Sequence, residues 1–255
     1  MTTNVGITNR RENSAQQASF SVRYTRSIDT NGWLKVRLEP NGEFIYLCEY
    51  TKVLIQRSYE GRTFFLINEG IYANKTASLS NSNSSKCLIS YKRGIGATLN
   101  VKVVGRKNER SLIRNENLDQ LFAELSFNGV KARITLDSGV HYRETNRNSP
   151  SFGQVKQSQP LPKGIYNIMA PDYAKDAAMT AFYRTSPNGF SGLQYDTAWF
   201  PIEYAPTHNS NFVHVGHLSE GCITCYEVQK WNDLYQYLIT NRTPDGKYVG
   251  KLIIS

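Results

Sequence analysis

His214, His217, Cys222 and Cys225 fall within a dozen residues of one another, and the chain holds only 4 histidines and 4 cysteines. A thiolate is the reactive form of cysteine, and a neighbouring imidazolium lowers the pKa of the thiol. Apolar Phe212 and Val213 run into His214, as a buried strand does when it delivers a side chain at its end. Gly221 directly precedes Cys222, in a short turn with Ser219 and Glu220. Without a Cβ, such a turn can aim main-chain N–H groups at a developing oxyanion. These types and spacings suit nucleophilic catalysis, with Cys222 as nucleophile and His214 as base. His217 reads as a loop or substrate-side residue and the second choice for the base. Ser219 reads equally as a turn cap or as an orienter of the histidine.

The same residues have other uses. His214-x-x-His217 followed by Cys222-x-x-Cys225 supplies four soft ligands for a structural zinc, although the interval between the pairs is short for a zinc ribbon and no second cluster supports it. Cys222-x-x-Cys225 as a redox pair lacks the βαβ setting that such a motif needs. The nucleophilic reading requires no cofactor and no metal.

The elements that must position these residues read as mainly β. After the cysteine pair, Val228, Trp231, Leu234, Tyr235, Leu238 and Ile239 recur at helical spacing. Upstream, Trp199 to Ile202 reads as a strand running toward the His/Cys stretch, and Tyr248 to Ile254 as a closing strand after Pro244-Asp245-Gly246. Alternation at 20–24, 33–38 and 130–136, with turn signals Asn31-Gly32, Asn41-Gly42, Asn128-Gly129 and Asp137-Ser138-Gly139, predicts further strands. So do 44–55, 62–66, 87–91, 99–104 and 165–168, with another turn at Pro187-Asn188-Gly189. Residues 77–86, rich in serine and asparagine, predict a loop, as does polar 146–159. Leu118, Leu121, Phe122 and Leu125 fit a helix over 115–125. The domain reading is a flexible arm at 1–18, a β-rich region at 19–125 without a catalytic motif, and a catalytic domain at 126–255.

The chain has 255 residues, 40% of them hydrophobic, enough for a substantial core. The formal net charge of +9 is uneven. Of 30 basic and 21 acidic residues, 18 and 11 lie in residues 1–125. That excess suits an anionic polymer or surface, but no nucleic-acid motif accompanies it. No apolar run is long enough to span a bilayer. Residues 1–17 are polar, unlike an apolar export leader, so export to the periplasm or cell wall would need another route. Four cysteines in a chain this long are not a disulfide framework.

Several landmarks then fall in a familiar order. Pro162-x-Gly164-x-Tyr166, Phe212-Val213-His214 and Ser219-x-Gly221-Cys222, followed by a helix and a closing strand, resemble an L,D-transpeptidase catalytic domain of the YkuD type over roughly the last half of the chain. The resemblance implies a sandwich- or barrel-like β fold and peptidoglycan stem peptides as substrate. It implies a thioester acyl-enzyme on Cys222, with His214 as base, Ser219 orienting it and the backbone at Gly221 and Cys222 forming the oxyanion hole. An amine would then give transpeptidation, and water L,D-carboxypeptidase activity. His217, Tyr166, Thr224 and Glu220 would face the substrate. Thr224 stands where the family commonly has an arginine, and Glu220 where it often has a histidine. The interval of eight between His214 and Cys222 is similar to compact variants, among them toxins delivered between bacteria. A toxin of that kind implies a secretion machinery and an immunity protein as partners. The competing class is a cell-wall-binding module without catalysis.

Overall fold

The computed structural model describes residues 21–29, 31–110, 115–157, 159–186, 189–204 and 211–255. The expected arm at 1–18 lies outside them, as do Phe20 and the turn residues Pro187 and Asn188. The protein is mainly β. Strands β1 (Ser21–Thr25), β2 (Trp33–Leu38), β3 (Phe44–Cys48), β4 (Lys52–Tyr59), β5 (Arg62–Ile67) and β6 (Thr76–Ser80) precede a short helix α1 (Asn81–Cys87) and strand β7 (Leu88–Ile89). They form one antiparallel sheet of order β3-β2-β6-β5-β4-β1-β7. Its face buries Leu34, Val36, Ile45, Val53, Phe65 and Ile67 at the period of two that the sequence shows.

The rest of the chain builds a closed eight-stranded barrel. Its strands are β8 (Ala97–Arg110), β9 (Asn117–Phe127) and β10 (Val130–Asp137), then, after a small hairpin β11 (His141–Arg143) and β12 (Val155–Gln157), β13 (Gly164–Met169), β14 (Phe200–Glu203), β15 (Phe212–Val215), β16 (Glu220–Cys225) and β17 (Tyr248–Ile254). The order around the barrel is β10-β16-β15-β14-β13-β17-β8-β9. Helix α2 (Trp231–Thr240) packs Trp231, Leu234, Tyr235, Leu238 and Ile239 into the barrel's apolar cluster. The helical spacing seen in the sequence is therefore the buried stripe of a real helix. Tyr235 also reaches the first sheet, where its hydroxyl donates to Glu49 Oε2 at 3.1 Å. Trp33 ties the same seam from the other side, its Nε1 donating to Thr197 Oγ1 at 3.2 Å.

Three expectations need correction. The division at 125/126 would cut the β9–β10 hairpin; β8 and β9 belong to the barrel, and the change of sheet falls between Ile89 and Ala97. Residues 117–127 are a strand, not a helix. The buried set is Leu118, Gln120 and Phe122, on the face where Gln120 meets the 216–219 loop and Phe122 meets Tyr226, then Ala123, Leu125 and Phe127, which belong to the barrel's apolar cluster. The buried face switches at Phe122, opposite the bulge between Val103 and Gly105 of β8. That switch places Leu118, Phe122 and Leu125 at pseudo-helical intervals, and buried Gln120 conceals the period of two. Residues 77–86 are β6 and α1, since the Ser80 hydroxyl caps the helix by accepting from Asn83 N at 3.3 Å. Among the described residues the polar stretch 146–159 contains β12 and is otherwise irregular. Among the described residues no helix is long and apolar enough to cross a membrane.

Candidate active site

The site is made by the two strands that the His/Cys stretch forms. β15 and β16 are parallel neighbours, with Val213 opposite Ile223, His214 opposite Thr224 and Val215 opposite Cys225. Parallel neighbours usually need a crossover of a dozen residues or more; here residues 216–219 suffice. The loop must run back along the strands nearly extended, and its backbone is held from several sides. His217 N donates to Tyr183 Oη at 2.7 Å, and Gln120 Nε2 donates to His217 O at 2.9 Å. Ser219 N donates to Ser138 Oγ at 2.7 Å, and Ser138 N returns a bond to Ser219 O at 2.9 Å. Gln120 Oε1 collects the hydroxyls of Thr135 and Ser138 at 2.8 and 2.6 Å. Gln120, Thr135, Ser138 and Ser219 are fully buried, so this network is satisfied without water.

The second positioning device is a bulge. Glu220 pairs with Asp137 and Thr224 with Thr135, so β16 takes four steps where β10 takes two. The extra residues lie between Glu220 and Thr224, at Gly221, Cys222 and Ile223. Bulges re-aim side chains and are common beside active sites. Gly221 has φ +93°, and a Cβ there would lie 2.5 Å from the Gln159 carbonyl oxygen. Only glycine fits this backbone. Asn211 Nδ2 fixes the other side by donating to Gly221 O at 2.8 Å.

The result is a cleft of ≈ 520 Å³ whose walls include His214, Cys222, Phe212, Trp199 and Glu220. Cys222 is partly exposed, and its Sγ accepts from Phe212 N at 3.4 Å. The His214 imidazole lies flat against Trp199, with centroids 4.1 Å apart. His214 Nδ1 is 2.9 Å from Val215 O. A carbonyl can only accept, so in the neutral ring Nδ1 carries the hydrogen and Nε2 is the basic nitrogen. Nε2 is 3.1 Å from Thr224 Oγ1 and takes that hydroxyl's hydrogen. Among the described residues no hydrogen bond joins Cys222 to His214.

Burial governs the protonation of both groups. It pushes the Cys222 thiol up to about 11; the Phe212 N–H and the Lys175 charge oppose the rise and Glu220 adds to it. Burial likewise pushes His214 down to about 4, against the Val215 hydrogen bond and with help from the Lys175 charge. Near neutral pH the resting pair is thiol and neutral imidazole. The thiolate–imidazolium pair expected from the sequence is not the resting state.

The other expected site residues divide clearly. Glu220 is exposed on the cleft wall, and Thr224 is buried behind it, bonded to the histidine. Ser219 does not touch His214; its hydroxyl donates to Cys222 O at 2.8 Å and tightens the bulge. His217 points elsewhere, edge-on to Tyr183 with centroids 4.9 Å apart and beside Tyr226, on a separate cavity with Glu109 and Arg133. Tyr166 stands two strands from β15, and its hydroxyl closes onto Pro162 O at 2.7 Å. The motif Pro162-x-Gly164-x-Tyr166 thus shapes the start of β13, outside the cleft.

The zinc and redox alternatives fail on geometry. Cys225 faces the barrel interior and is fully buried, three residues along the strand from Cys222. Among the described residues no group of three or more His, Cys, Asp or Glu side chains could hold a metal ion. Cys48, Cys87 and Cys225 are buried free thiols. The sequence alone does not single out Gln120, Ser138, Asn211 or Lys175 as site residues, and it marks Trp199 only as the start of a strand. The only local signal was the turn Asp137-Ser138-Gly139. No family model, curated protein or solved structure matches this chain.

Proposed function

We propose that the protein is a cysteine acyltransferase of the L,D-transpeptidase kind, acting on peptidoglycan stem peptides. The observation that carries this reading is the pair itself. Cys222 and His214 sit on adjacent parallel strands and open into one cleft of peptide-accommodating size. Among the described residues, only that face carries both a partly exposed thiol and an imidazole with its basic nitrogen beside the same strand.

The reaction follows from groups already placed. His214 Nε2 leaves Thr224 and takes the Cys222 proton as sulfur attacks the substrate carbonyl carbon, so no free thiolate need accumulate. Sulfur forms the new bond to carbon, and the carbonyl oxygen takes the negative charge. Main-chain N–H groups of the bulge at Gly221 and Cys222 are the natural donors to that oxyanion. Collapse expels the terminal amine, which takes the proton from His214 and leaves a thioester on Cys222. An acceptor amine or water then attacks the thioester, with His214 again as base, giving cross-link or carboxypeptidase product.

A second reading has one observation in its favour: at rest no hydrogen bond joins sulfur and imidazole. A cell-wall-binding module without catalysis would look the same. Incubating purified protein with muropeptide tetrapeptides and following products by mass spectrometry separates the two. Wild type should release the terminal residue or form dimers, and Cys222→Ala should do neither. Unchanged tetrapeptide with wild type, together with retained binding by Cys222→Ala, would favour the binding module.

A further inference from the structure

We propose that Lys175 is the anion-recognising residue of the Cys222 cleft, selecting ligands that place a carboxylate beside the reactive sulfur. The assignment rests on Cys222 being the reactive group of that cleft.

Lys175 is held in place at both ends of its residue. Its backbone N–H donates to Thr197 O at 2.9 Å, and its Nζ donates to Tyr173 Oη at 3.0 Å. The Nζ lies 4.2 Å from the ring centroid of Phe212 and 5.5 Å from that of Trp199. Phe212 is the residue whose N–H meets Cys222 Sγ, and Trp199 is the ring stacked on His214. The ammonium therefore rests on the aromatic wall that backs both reacting groups. Lysine is usually a mobile, solvated charge. Here it is seated over π faces, and among the described residues no carboxylate forms an ion pair with it.

The charge is felt where the chemistry would occur, since it lowers the pKa of both Cys222 and His214. Glu220, exposed on the same cleft, is the charge of opposite sign and acts on Cys222 in the opposite sense. Lys175 does not itself line the cleft, but the two rings it rests on do, so a positive charge backs the aromatic wall and a negative one, Glu220, stands in the lining. A ligand carboxylate fits the first and is repelled by the second, so the two charges fix which way round an anionic ligand lies.

Charged thiol reagents of similar size test this on the intact protein without knowledge of the natural ligand. Sulfonatoethyl methanethiosulfonate is anionic and trimethylammonioethyl methanethiosulfonate is cationic. In each case the Cys222 sulfur attacks the sulfenyl sulfur, a mixed disulfide forms, methanesulfinate leaves with the bonding pair, and the thiol proton goes to solvent. Iodoacetamide serves as the neutral reference, and peptide mass spectrometry confines the rates to Cys222. Lys175→Met should cut the anionic rate about fivefold relative to the neutral reference, the size of one screened unit-charge contact, and lower the anionic-to-cationic ratio by more than that, because the cationic rate rises. Lys175→Arg should hold the ratio near wild type, and Glu220→Gln should raise it. High salt should shrink both differences. Neutral labelling at Cys222 with the same ratio in wild type and Lys175→Met would overturn the Lys175 assignment alone. Absence of labelling at Cys222 by every reagent, with the protein folded, would overturn the nucleophile and the assignment with it.

Discussion

The resting protonation of the Cys222–His214 pair makes a sharp prediction. Thiol and imidazolium pKa values of about 11 and about 4 put proton transfer from sulfur to nitrogen uphill by of the order of 10 kcal/mol. Drawing the two new charges to ~4 Å returns only ~4 kcal/mol at a protein-like dielectric. The neutral pair wins. At pH 7 a thiol of pKa about 11 is thiolate at roughly one part in ten thousand, against about 3% for an ordinary cysteine. The more basic thiolate is the better nucleophile, which recovers about tenfold. Iodoacetamide should therefore label Cys222 roughly twenty- to thirtyfold more slowly than a free thiol at pH 7. The rate should climb close to tenfold per pH unit to pH 10 without a plateau.

Two variants test the cause. His214→Ala should leave that profile within about half a unit, because a neutral imidazole that does not touch sulfur contributes little to the thiol pKa. Thr224→Val removes the hydroxyl bonded to Nε2 and leaves that nitrogen free for Cys222, so the apparent thiol pKa should fall and neutral-pH labelling should quicken. Adding His214→Ala to Thr224→Val should abolish the gain, the coupling expected when two residues act through one contact. The reasoning is refuted if wild-type Cys222 titrates near or below pH 7 and His214→Ala removes that titration. The ion pair would then stand at rest, and burial would not be what sets these protonation states.

Two further substitutions address the scaffold. Gly221→Ala places a Cβ against the Gln159 carbonyl at a φ of +93°; it should cost about 1–3 kcal/mol in urea unfolding and abolish any Cys222-dependent product even where the variant folds. Gln120→Leu strips the shared partner from Thr135, Ser138 and the His217 carbonyl; a loss of about 3 kcal/mol or more is expected, read as a lower urea midpoint at unchanged slope, and a loss of less than about 1 kcal/mol would mean the network does not hold the loop.

What the sequence disclosed, and what it hid, follows the range of the interactions. The α2 stripe and the strands at 130–136, 212–214 and 248–254 are local patterns with one buried face, and they were legible. The strand at 117–127 was not, because its buried face switches opposite a bulge in β8, more than a dozen residues upstream. Cys222 and His214 were legible as reactive residue types on a short stretch. Their partners were not: Trp199 reaches His214 from just before the neighbouring strand β14, and Lys175 arrives from the loop after β13. Ser219 was legible as a polar residue near the cysteine, but its hydroxyl serves the bulge carbonyl rather than the imidazole. Nothing in local spacing distinguishes those two uses.

The geometry of the site comes down to a strand return that is too short to be comfortable. Four residues join two parallel neighbours, and such a loop has little freedom to place its own backbone amides and carbonyls. Buried polar groups left unmatched are costly, so the barrel supplies matches from β9, β10 and the segment after β13: Gln120, Ser138 and Tyr183. Holding the return this firmly forces the surplus length into β16 itself, where Gly221 takes up the bulge. The bulge sits at Cys222 while register is restored by Thr224, opposite His214. The same constraint that keeps the return short thus brings the thiol and the imidazole to one cleft. It also leaves Thr224, not Cys222, directly across from the histidine, which is why the competition between those two partners for Nε2 is the step on which catalysis by this pair would turn.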